Sequence, residues 1–318
     1  MSAPATVAVI GAGIAGAACA RVLAGAGVEV DILDRGRSPG GRMSSPVVNG
    51  RAVDLGASYF TSRDEGFLAV AEGWRARGLA HHWTDAFHVA GPQGLGQRKE
   101  GPVRWGAGGG LRSLVADLLA GLDVRRSEVQ RVGPGPVVDG RSYDAVALAM
   151  PDPQAHRLLD PELEAECTAV ADREWEPVLA VAAGWAERSW QPSFDGCFVE
   201  GSEQLGWIAD DGRRRSDGAP VLVGHSTAGY AALRLTDPAA ATDELVDAVR
   251  AVLGVQGAPA WTRLQRWTYA RPTQPREAAC FLGPAKVGLC GDGWGSPRVE
   301  TAWTSGDALG RALCEQLA

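Results

Sequence analysis

The sequence predicts an α/β protein in which a unit built on a βαβ motif is interrupted by a mainly antiparallel β unit. Three observations predict this fold class. The glycine-flanked apolar run Thr6–Ile10, the small-residue stretch 14–24 and the apolar run 28–33 indicate a strand, a helix and a second strand. Strand-like runs separated by loops occupy most of residues 153–275. Residues 286–318 are again strand, glycine loop and helix, and we expect them to return to the first unit.

Apolar spacing predicts three further helices. The first is expected around residues 61–77, with Thr61 or Ser62 as its cap. The second carries a leucine-rich stripe at i, i+3, i+4 and i+7 spacing over residues 111–122, so one of its faces is buried. The third begins at Asp237-Pro238, because proline is favoured in the first turn of a helix.

The remaining segments predict strands and turns. Residues 129–150 indicate a small antiparallel meander with a hairpin turn at Asp139-Gly140. The strand-like runs of the second unit are 179–185, 197–200, 205–209, 221–226 and 261–269. The predicted division assigns residues 1–80, 102–152 and 277–318 to the first, discontinuous unit and residues 81–101 and 153–276 to the second.

Composition argues against several classes of protein. The net charge of −7 and the pI of about 5.3 disfavour a nucleic-acid-binding surface. No uninterrupted apolar run approaches the roughly 20 residues of a membrane span. The apolar stretch Thr6–Ala20 has no basic residue before it, the first being Arg21, so we expect no secretory signal and a cytoplasmic protein. The six cysteines include no CxxC pair and the five histidines no HxxxH pair, so neither a disulfide framework nor a metal site is predicted.

A glycine pattern between the first strand and the first helix predicts a dinucleotide-binding turn. In this GxGxxG motif Gly11 permits the tight turn, Gly13 lets the backbone approach a pyrophosphate, and Gly16 allows close helix–strand packing. The helix that follows presents free N–H groups to the phosphates. Asp34, at the end of the second strand, is positioned to bind ribose hydroxyls. This fingerprint fits NAD and FAD equally well.

The next segment favours FAD. Residues Arg35–Met43 (RGRSPGGRM) resemble the GG-motif of the FAD-dependent amine oxidase and desaturase superfamily. Gly40-Gly41 offers backbone with no side chain in the way, and Arg42 can pair with a pyrophosphate through charge-assisted hydrogen bonds. We therefore expect FAD as the cofactor.

Further motifs are similar to those of renalase and its bacterial relatives, and the resemblance extends over essentially the whole chain. The motifs are Asp54–Thr61 (DLGASYFT), Leu205–Ala209 (LGWIA), Arg266–Pro272 (RWTYARP), Leu289–Trp294 (LCGDGW), Arg298–Ala302 (RVETA) and Ser305-Gly306. This resemblance implies a p-hydroxybenzoate-hydroxylase-like architecture, with non-covalent FAD under a substrate domain. The chain departs from the family at Ser58, where glutamine is common, and at Thr301, where glycine usually precedes the alanine.

The resemblance also assigns residues to the cofactor. The glycine-rich turn would face the phosphates, Val129 the adenine through its main chain, and Asp292 the ribityl or pyrophosphate end. The helix beginning near Val299 would direct its amino terminus at the flavin pyrimidine ring, where reduction places negative charge. The full set is Gly11, Ala12, Gly13, Ile14, Ala15, Gly16, Asp34, Arg35, Gly41, Arg42, Gly56, Ala57, Ser58, Val129, Asp292, Val299 and Ala302.

No side chain of the sequence is an obvious catalytic acid or base. Trp267 and Tyr269 share one face of a strand, and with Tyr59 they form the predicted substrate pocket, although core packing explains an aromatic pair equally well. Lys286 is expected in solvent, and His225 as a hydrogen-bonded core residue. The arginine run 213–215, flanked by aspartates, is expected to be a solvated loop.

The absence of a base suits a substrate that donates hydride without losing a proton. We therefore expect an FAD-dependent oxidase whose chemistry resides on the flavin, which takes hydride at N5 from a small planar substrate and reduces O2 to H2O2. The renalase resemblance implies 2- or 6-dihydro-NAD(P) isomers as that substrate. An amine or amino-acid oxidase of the same superfamily is the alternative, and a nucleotide-binding protein without turnover is an alternative of another class. The expected partners are the substrate and O2, and a monomer is compatible with the sequence, which predicts no oligomeric state.

Overall fold

Two β-sheets, one mostly parallel and one mostly antiparallel, form the framework of the protein. The structure is a computed structural model and describes residues 3–318. Within these residues the strands are β1 (Thr6–Ile10), β2 (Glu29–Asp34), β3 (Val47–Val48), β4 (Arg51–Ala52), β5 (His81–Gly91), β6 (Gly94–Gly106), β7 (Val124–Arg126), β8 (Val132–Gly133), β9 (Val137–Val138), β10 (Arg141–Ser142), β11 (Ala145–Leu148), β12 (Trp175–Gly184), β13 (Gly196–Val199), β14 (Leu205–Asp210), β15 (Val221–Ser226), β16 (Trp261–Pro272), β17 (Phe281–Leu282) and β18 (Val287–Leu289). The helices are α1 (Ile14–Gly25), α2 (Glu65–Ala76), α3 (Leu111–Leu118), α4 (Asp152–Leu158), α5 (Glu164–Val170), α6 (Asp211–Arg214), α7 (Ala228–Ala232), α8 (Thr242–Leu253) and α9 (Val299–Leu317), with 3₁₀ turns at Gly41–Met43 and Pro238–Ala241.

The six-stranded sheet has the order β17-β18-β11-β1-β2-β7, and only the β17–β18 pair is antiparallel. Successive residues of a strand point to opposite faces, so β1 buries Val7 and Val9 with α1 and α9 on one side. Ala8 of the same strand packs with Ala155 and Leu163, from α4 and the residue preceding α5, on the other. Helices therefore cover both faces, as in doubly wound α/β folds.

The seven-stranded sheet has the order β16-β12-β15-β14-β13-β5-β6, and only β13–β5 is a parallel pair. Helix α8 packs on one face, where Leu245 and Val249 are fully or almost fully buried. The opposite face presents Ala180 and Val223 to Val53 of the first unit. The second sheet thus lies over the chain segment that leaves the GG turn. The predicted α/β class, with a Rossmann-type unit and an inserted mainly antiparallel sheet, is confirmed.

Two local predictions were wrong. Helix α2 is capped by Asp64, whose carboxylate accepts the Phe67 N–H at 2.8 Å, and neither Thr61 nor Ser62 caps it. The meander also ends earlier than predicted: β8, β9 and β10 are antiparallel, but Ala145–Leu148 is a parallel strand between β1 and β18. This strand is buried along its whole length, which is what the interior of a parallel sheet requires.

Several elements lie close to the predicted limits of the two units. Strand β6 continues to Gly106, beyond the predicted limit at residue 101, and a bridge joins its Trp105 to Phe60. Helices α4 and α5, although placed after residue 152, pack on the six-stranded sheet. The division into two units stays a prediction. All six cysteines are free thiols, and none of the helices within residues 3–318 has the length and apolar character that a membrane crossing requires.

Candidate functional site

A cavity of about 2050 Å³ lies where the carboxyl ends of the parallel strands face the seven-stranded sheet. Ile10 and Asp34 line it from the ends of β1 and β2, and Trp207, His225 and Trp267 line it from β14, β15 and β16. Open α/β sheets bind their ligands at this edge, and a pocket for one small ligand usually measures about 300–1,000 Å³. The cavity therefore has room for a dinucleotide and a second ligand together.

The glycine turn at one end of the cavity has the backbone that the fingerprint requires. Gly11 has φ of +107°, and a Cβ there would lie 2.6 Å from the Ala149 carbonyl oxygen. A Cβ on Gly16 would overlap the Gly11 carbonyl oxygen. Helix α1 begins after Gly13, which supplies no side-chain cap, and its first turn has no acidic residue. The first N–H groups of α1 are therefore left for an anion.

Asp34 is held at the end of β2 by two backbone donors. Its Oδ2 accepts the Ala12 N–H at 2.6 Å, and its Oδ1 accepts the Gly36 N–H at 2.6 Å. Each carboxylate oxygen has a further lone pair, so acceptors remain for ribose hydroxyls. The Ser127 N–H donates to the Asp34 carbonyl oxygen at 2.9 Å, which brings Val129 to the same part of the cavity wall.

The GG turn lies directly against the glycine fingerprint. The Gly40 N–H donates to the Ala12 carbonyl oxygen at 2.8 Å. A Cβ on Gly41, which has φ of +51°, would lie 3.3 Å from the Gly13 Cα. Arg35 precedes this turn as an exposed residue of the cavity wall. The two glycine segments thus pack directly against each other, and together they form one stretch of cavity wall that is free of side chains.

Arg42 and Asp292, both predicted to contact the cofactor, form a bidentate ion pair with each other. The Arg42 Nη1 and Nη2 atoms lie 2.8 Å and 2.5 Å from the two Asp292 oxygens. Arg42 also donates to the Ala270 carbonyl oxygen at 3.1 Å and lies over the Trp175 ring. This pair joins the GG turn to the loop after β18 and to β16, so it fixes the middle of the cavity wall.

Residues 56–58 connect the GG turn to the second sheet. The Ala57 N–H donates to the Arg42 carbonyl oxygen at 2.8 Å, and a Cβ on Gly56 would overlap that same oxygen. The Ser58 hydroxyl accepts the indole N–H of Trp207 at 2.9 Å. Ser58 therefore anchors an aromatic residue of the opposite sheet.

Helix α9 begins at Val299, as predicted, and Val299 and Ala302 line the cavity. Its cap position, Arg298, supplies no side-chain hydrogen bond. The acidic residue of its first turn, Glu300, is engaged elsewhere, because its carboxylate accepts the Asp64 N–H at 2.7 Å. The amino terminus of a 19-residue helix thus faces the cavity with its partial positive charge.

These groups fit FAD. A glycine cradle that any Cβ would fill, an uncapped helix amino terminus and a carboxylate at the end of β2 are what a pyrophosphate and a ribose require. The second uncapped helix amino terminus, that of α9, suits a ring system that gains negative charge on reduction.

Aromatic side chains form the wall opposite the cofactor residues. Tyr59 packs against Trp83, Phe87 and Trp207, with ring centroids 6.2, 5.3 and 5.8 Å away. Burial raises the pKa of the Tyr59 hydroxyl, so this group is neutral near pH 7. The structure brings Tyr59 to the cavity together with the other two predicted pocket residues, described next.

Trp267 and Tyr269 both line the cavity from β16. The Trp267 indole N–H donates to the Leu55 carbonyl oxygen at 2.6 Å, and the Tyr269 hydroxyl accepts from Arg157 at 3.2 Å. Both side chains are half-buried, so each combines packing with exposure to the cavity.

Two of the three arginines at 213–215 are buried, contrary to the prediction of a solvated loop, and only Arg213 is exposed. Arg214 is 0% exposed and ion-paired with Asp211, and it donates to the carbonyl oxygens of Ser58 and Asp54 at 3.0 and 3.1 Å. Arg215 is also buried, and it lies 3.8 Å from the Asp54 carboxylate. Of the flanking aspartates, Asp211 is the buried partner of Arg214, which holds residues 54–58 in place, whereas Asp210 pairs with Arg188 and Asp217 with Arg51.

Three residues of the cavity wall were missed or misjudged in the sequence. Arg104 and Arg112 line the cavity, and each has a buried Nε atom without a hydrogen-bond partner. His225 has a buried Nε2 atom without a partner, so it is not the hydrogen-bonded core histidine that was expected. Burial, with the Arg214 charge, lowers the pKa of His225 to about 4. In the sequence, the position of His225 at the end of a strand was the only indication that it lines the cavity. The residues around Arg104 and Arg112 give no such indication.

Comparisons with known proteins agree with this geometry. Residues 9–71 match a family model described as an NAD(P)-binding Rossmann-like domain, and residues 86–307 match one described as flavin containing amine oxidoreductase. A hydroxyneurosporene desaturase of Rubrivivax gelatinosus is 46% identical over 57 residues, which are 18% of this chain and only 11% of the desaturase.

Solved structures show the same fold over nearly the whole chain. Cyclohexylamine oxidase from Brevibacterium oxydans IH-35A matches with a TM-score of 0.78 at 15% identity, covering 99% of this chain and 100% of that one. Putrescine oxidase bound to putrescine matches with a TM-score of 0.75 at 15% identity, covering 98% and 99%. Reduced UDP-galactopyranose mutase, which is named as a mutase and not as an oxidase, matches with a TM-score of 0.73 at 11% identity, covering 98% of this chain and 94% of that one. At these identities the likeness concerns the fold alone.

The fold and the site together define an FAD-dependent oxidoreductase. More narrowly, the chain belongs to the flavin containing amine oxidoreductase family, whose model matches more than half of it. FAD is its cofactor.

Proposed function

We propose that the protein is an oxidase of dihydronicotinamides, the 2- and 6-dihydro isomers of NAD(P), with O2 as the electron acceptor. One dihydronicotinamide, one O2 and one proton give NAD(P)+ and H2O2, so the two electrons balance. When bound, FAD supplies the hydride acceptor and the reductant of O2. We propose that the residues described above hold it without a covalent bond.

The observation that carries the proposal is that no carboxylate or histidine of the described cavity wall is poised to accept a proton. Asp34 accepts two backbone N–H groups, and Glu128 lies beside the predicted adenine contact. Glu176 and Asp292 are ion-paired with arginines. His225, with a pKa of about 4, is neutral and a weak base near pH 7. A dihydronicotinamide loses hydride with electron donation from its ring nitrogen and needs no base.

The charge of the wall supports an anionic substrate. Most arginines of the described wall have no carboxylate within 4.0 Å, and the wall includes no lysine. These arginines are Arg35, Arg37, Arg63, Arg104, Arg112, Arg157, Arg263, Arg266 and Arg298. The whole chain has a net charge of −7, so this positive lining is local. Such a lining attracts phosphate-bearing molecules and repels ammonium groups.

The aromatic residues of the cavity wall are suited to bind the planar ring of the substrate. Tyr59, Trp207 and Trp267 offer planar faces to a planar ring, which can pack against them in offset or edge-on geometry. The hydrogen bonds from Trp207 to Ser58 and from Trp267 to the Leu55 carbonyl oxygen hold two of these faces in fixed orientations. A substrate ring would thus be oriented at little entropic cost, which is the main task left to the protein.

Anaerobic reduction of the purified yellow protein tests the proposal. We expect the 2- and 6-dihydro isomers to bleach the flavin absorbance rapidly and air to restore it with formation of one H2O2. Acid precipitation should release the flavin into the supernatant if it is not covalently bound. No bleaching by any dihydronicotinamide isomer would refute the proposed substrate, and a protein purified without flavin absorbance would favour a nucleotide-binding protein without turnover.

An amine oxidase is the second candidate, and the aromatic wall is the observation that favours it. Aromatic faces bind ammonium groups through cation–π attraction, and two of the structural neighbours are named as amine oxidases. A panel of primary amines and amino acids, including cyclohexylamine and putrescine, separates the two functions. We expect no peroxide from this panel, and amine-dependent peroxide would support the second candidate.

A further inference from the structure

Arg104 places a buried guanidinium in the cavity wall near the end of β6. The residue is 8% exposed, and its guanidinium carbon lies 4.3 Å from the centre of the Phe87 ring. Its Nη1 donates to the Asp85 carbonyl oxygen, and its Nε has no hydrogen-bond partner. The positive charge of Arg104 acts on the neighbouring Tyr59 hydroxyl, whose pKa it lowers against the effect of burial.

This guanidinium differs from the other buried arginines of the described chain because it has no carboxylate within 4.0 Å. Arg214 pairs with Asp211, and Arg215 lies 3.8 Å from the Asp54 carboxylate. A buried charge without a carboxylate partner is costly, and one backbone carbonyl, one aromatic face and the neutral Tyr59 hydroxyl compensate for it only in part. The remaining N–H donors of Arg104 are therefore available to bind a negatively charged acceptor.

The surroundings of Arg104 separate it from the predicted cofactor phosphates. It belongs to the seven-stranded sheet, whereas the glycine cradle lies at the end of the six-stranded sheet. Its neighbour on the cavity wall is Tyr59, whose ring packs against Trp207, and a second cation, Arg298, also acts on Tyr59. A fixed guanidinium beside aromatic faces suits a planar ring that carries an oxyanion.

We propose that Arg104 is a specificity-determining residue that binds an oxyanion of the substrate, a phosphate or a carboxylate, beside the aromatic wall. The inference deepens the proposed function and rests on it, because it specifies the charge that the substrate carries near its planar ring. The guanidinium presents parallel N–H donors that match phosphate and carboxylate geometry, which a lysine ammonium does not.

Two matched probe pairs test the proposal by calorimetry on the flavin-loaded protein, without turnover. Nicotinamide mononucleotide and nicotinamide riboside differ by a phosphate, and nicotinate and nicotinamide differ by the ring carboxylate. We expect the wild type to prefer the member of one pair that carries the additional oxyanion, and the pair in which it does so identifies that oxyanion. Arg104→Met should weaken binding of that member about 10- to 100-fold and leave its counterpart without the oxyanion within about twofold.

Two further variants keep this test independent of folding. Arg104→Lys retains the charge and should recover part of the preference. Lys99→Met removes one positive charge from an exposed position of the same strand outside the cavity, and it should bind all four probes as the wild type does. Thermal melting and flavin content verify that each variant is folded and loaded.

The outcomes distinguish this inference from the proposed function. The inference is overturned if the wild type discriminates within neither pair, or if Arg104→Met retains the full preference. A preference that needs Arg104, without oxidation of any dihydronicotinamide, would leave the oxyanion site standing and remove the proposed substrate. Oxidation of dihydronicotinamides by a protein whose Arg104→Met variant keeps the wild-type preference would support the proposed substrate and remove the oxyanion site.

Discussion

Replacing Arg214 by methionine removes the donors that hold residues 54–58 under the second sheet. The guanidinium is 0% exposed and donates to the Ser58 and Asp54 carbonyl oxygens at 3.0 and 3.1 Å, besides its ion pair with Asp211. Methionine fills a similar length without any donor. The substitution thus leaves two buried carbonyl oxygens unpaired and takes one cation from a buried carboxylate.

The expected loss of stability follows from these contacts. Each unsatisfied buried acceptor costs about 1–3 kcal/mol, and breaking a buried ion pair on one side costs about 3–5 kcal/mol. The two acceptors together cost at least about 2 kcal/mol. Asp211 retains a second cation, Arg51, at 2.5 Å, so the lost ion pair adds less than its usual cost, and we expect a total loss of about 3–4 kcal/mol. A typical domain is stable by only about 5–15 kcal/mol, so Arg214→Met consumes a large fraction of that margin.

Guanidinium unfolding followed by tryptophan fluorescence measures this loss. The matched control is Arg311→Met, because Arg311 is 68% exposed and pairs with Asp307 along helix α9. An exposed pair of this kind contributes little to stability, so the control should unfold almost as the wild type does. A loss of less than about 1 kcal/mol in the free energy of unfolding for Arg214→Met would refute the view that Arg214 and Asp211 stabilise residues 54–58.

Three further predictions concern the cofactor site and pH. Gly16→Ala should yield folded protein with little or no bound flavin, measured by absorbance, because the added Cβ overlaps the Gly11 carbonyl oxygen; full flavin content would contradict this. Asp34→Asn should weaken FAD binding about 10-fold in a fluorescence titration, since hydrogen bonds to a charged acceptor are the stronger ones, and unchanged affinity would argue against ribose contact. The pKa of His225 is about 4 in the folded protein against 6.5 ordinarily, so the unfolded chain binds the extra proton between these values and stability falls as pH drops from 6.5 towards 4. In unfolding experiments at different pH values, His225→Phe should reduce this decrease in the free energy of unfolding by about 3 kcal/mol. A pH profile identical to that of the wild type would show that His225 does not cause the decrease.

The sequence was sufficient wherever local geometry dictates the residue type. The strand, turn and helix from Thr6 to Gly25 follow from apolar runs and from glycines that must adopt special backbone or accept close neighbours, and the structure has each of them. The Asp139-Gly140 hairpin is of the same kind, with φ of +47° and +86° at its two central residues. Such features depend on a few consecutive residues, so reading them requires no knowledge of distant parts of the chain.

Predictions that depended on the surroundings of a charged side chain were less successful. Arginines 213–215 and their flanking aspartates look the same in sequence whether they are solvated or buried, and only the packing of Ser58 and Asp54 against them decides the question. The cap of α2 was misplaced for a different reason, because Thr61, Ser62 and Asp64 are all residue types that cap helices, and it is the Asp64 carboxylate that accepts the Phe67 N–H. For the arginines, the deciding partners are far away in sequence.

By itself, the sequence determined the α/β class and the dinucleotide turn, since glycine spacing and strand periodicity are properties of short segments, and the resemblance of residues 35–43 to a family motif indicated FAD. The tertiary structure alone decided which charges are neutralised and which face the cavity. Arg42 meets Asp292 across 250 residues, whereas Arg104 meets no carboxylate among the described residues. Burial and electrostatic pairing are set by chain segments that folding brings together, and so the polarity of the substrate site becomes visible only once both sheets are in place.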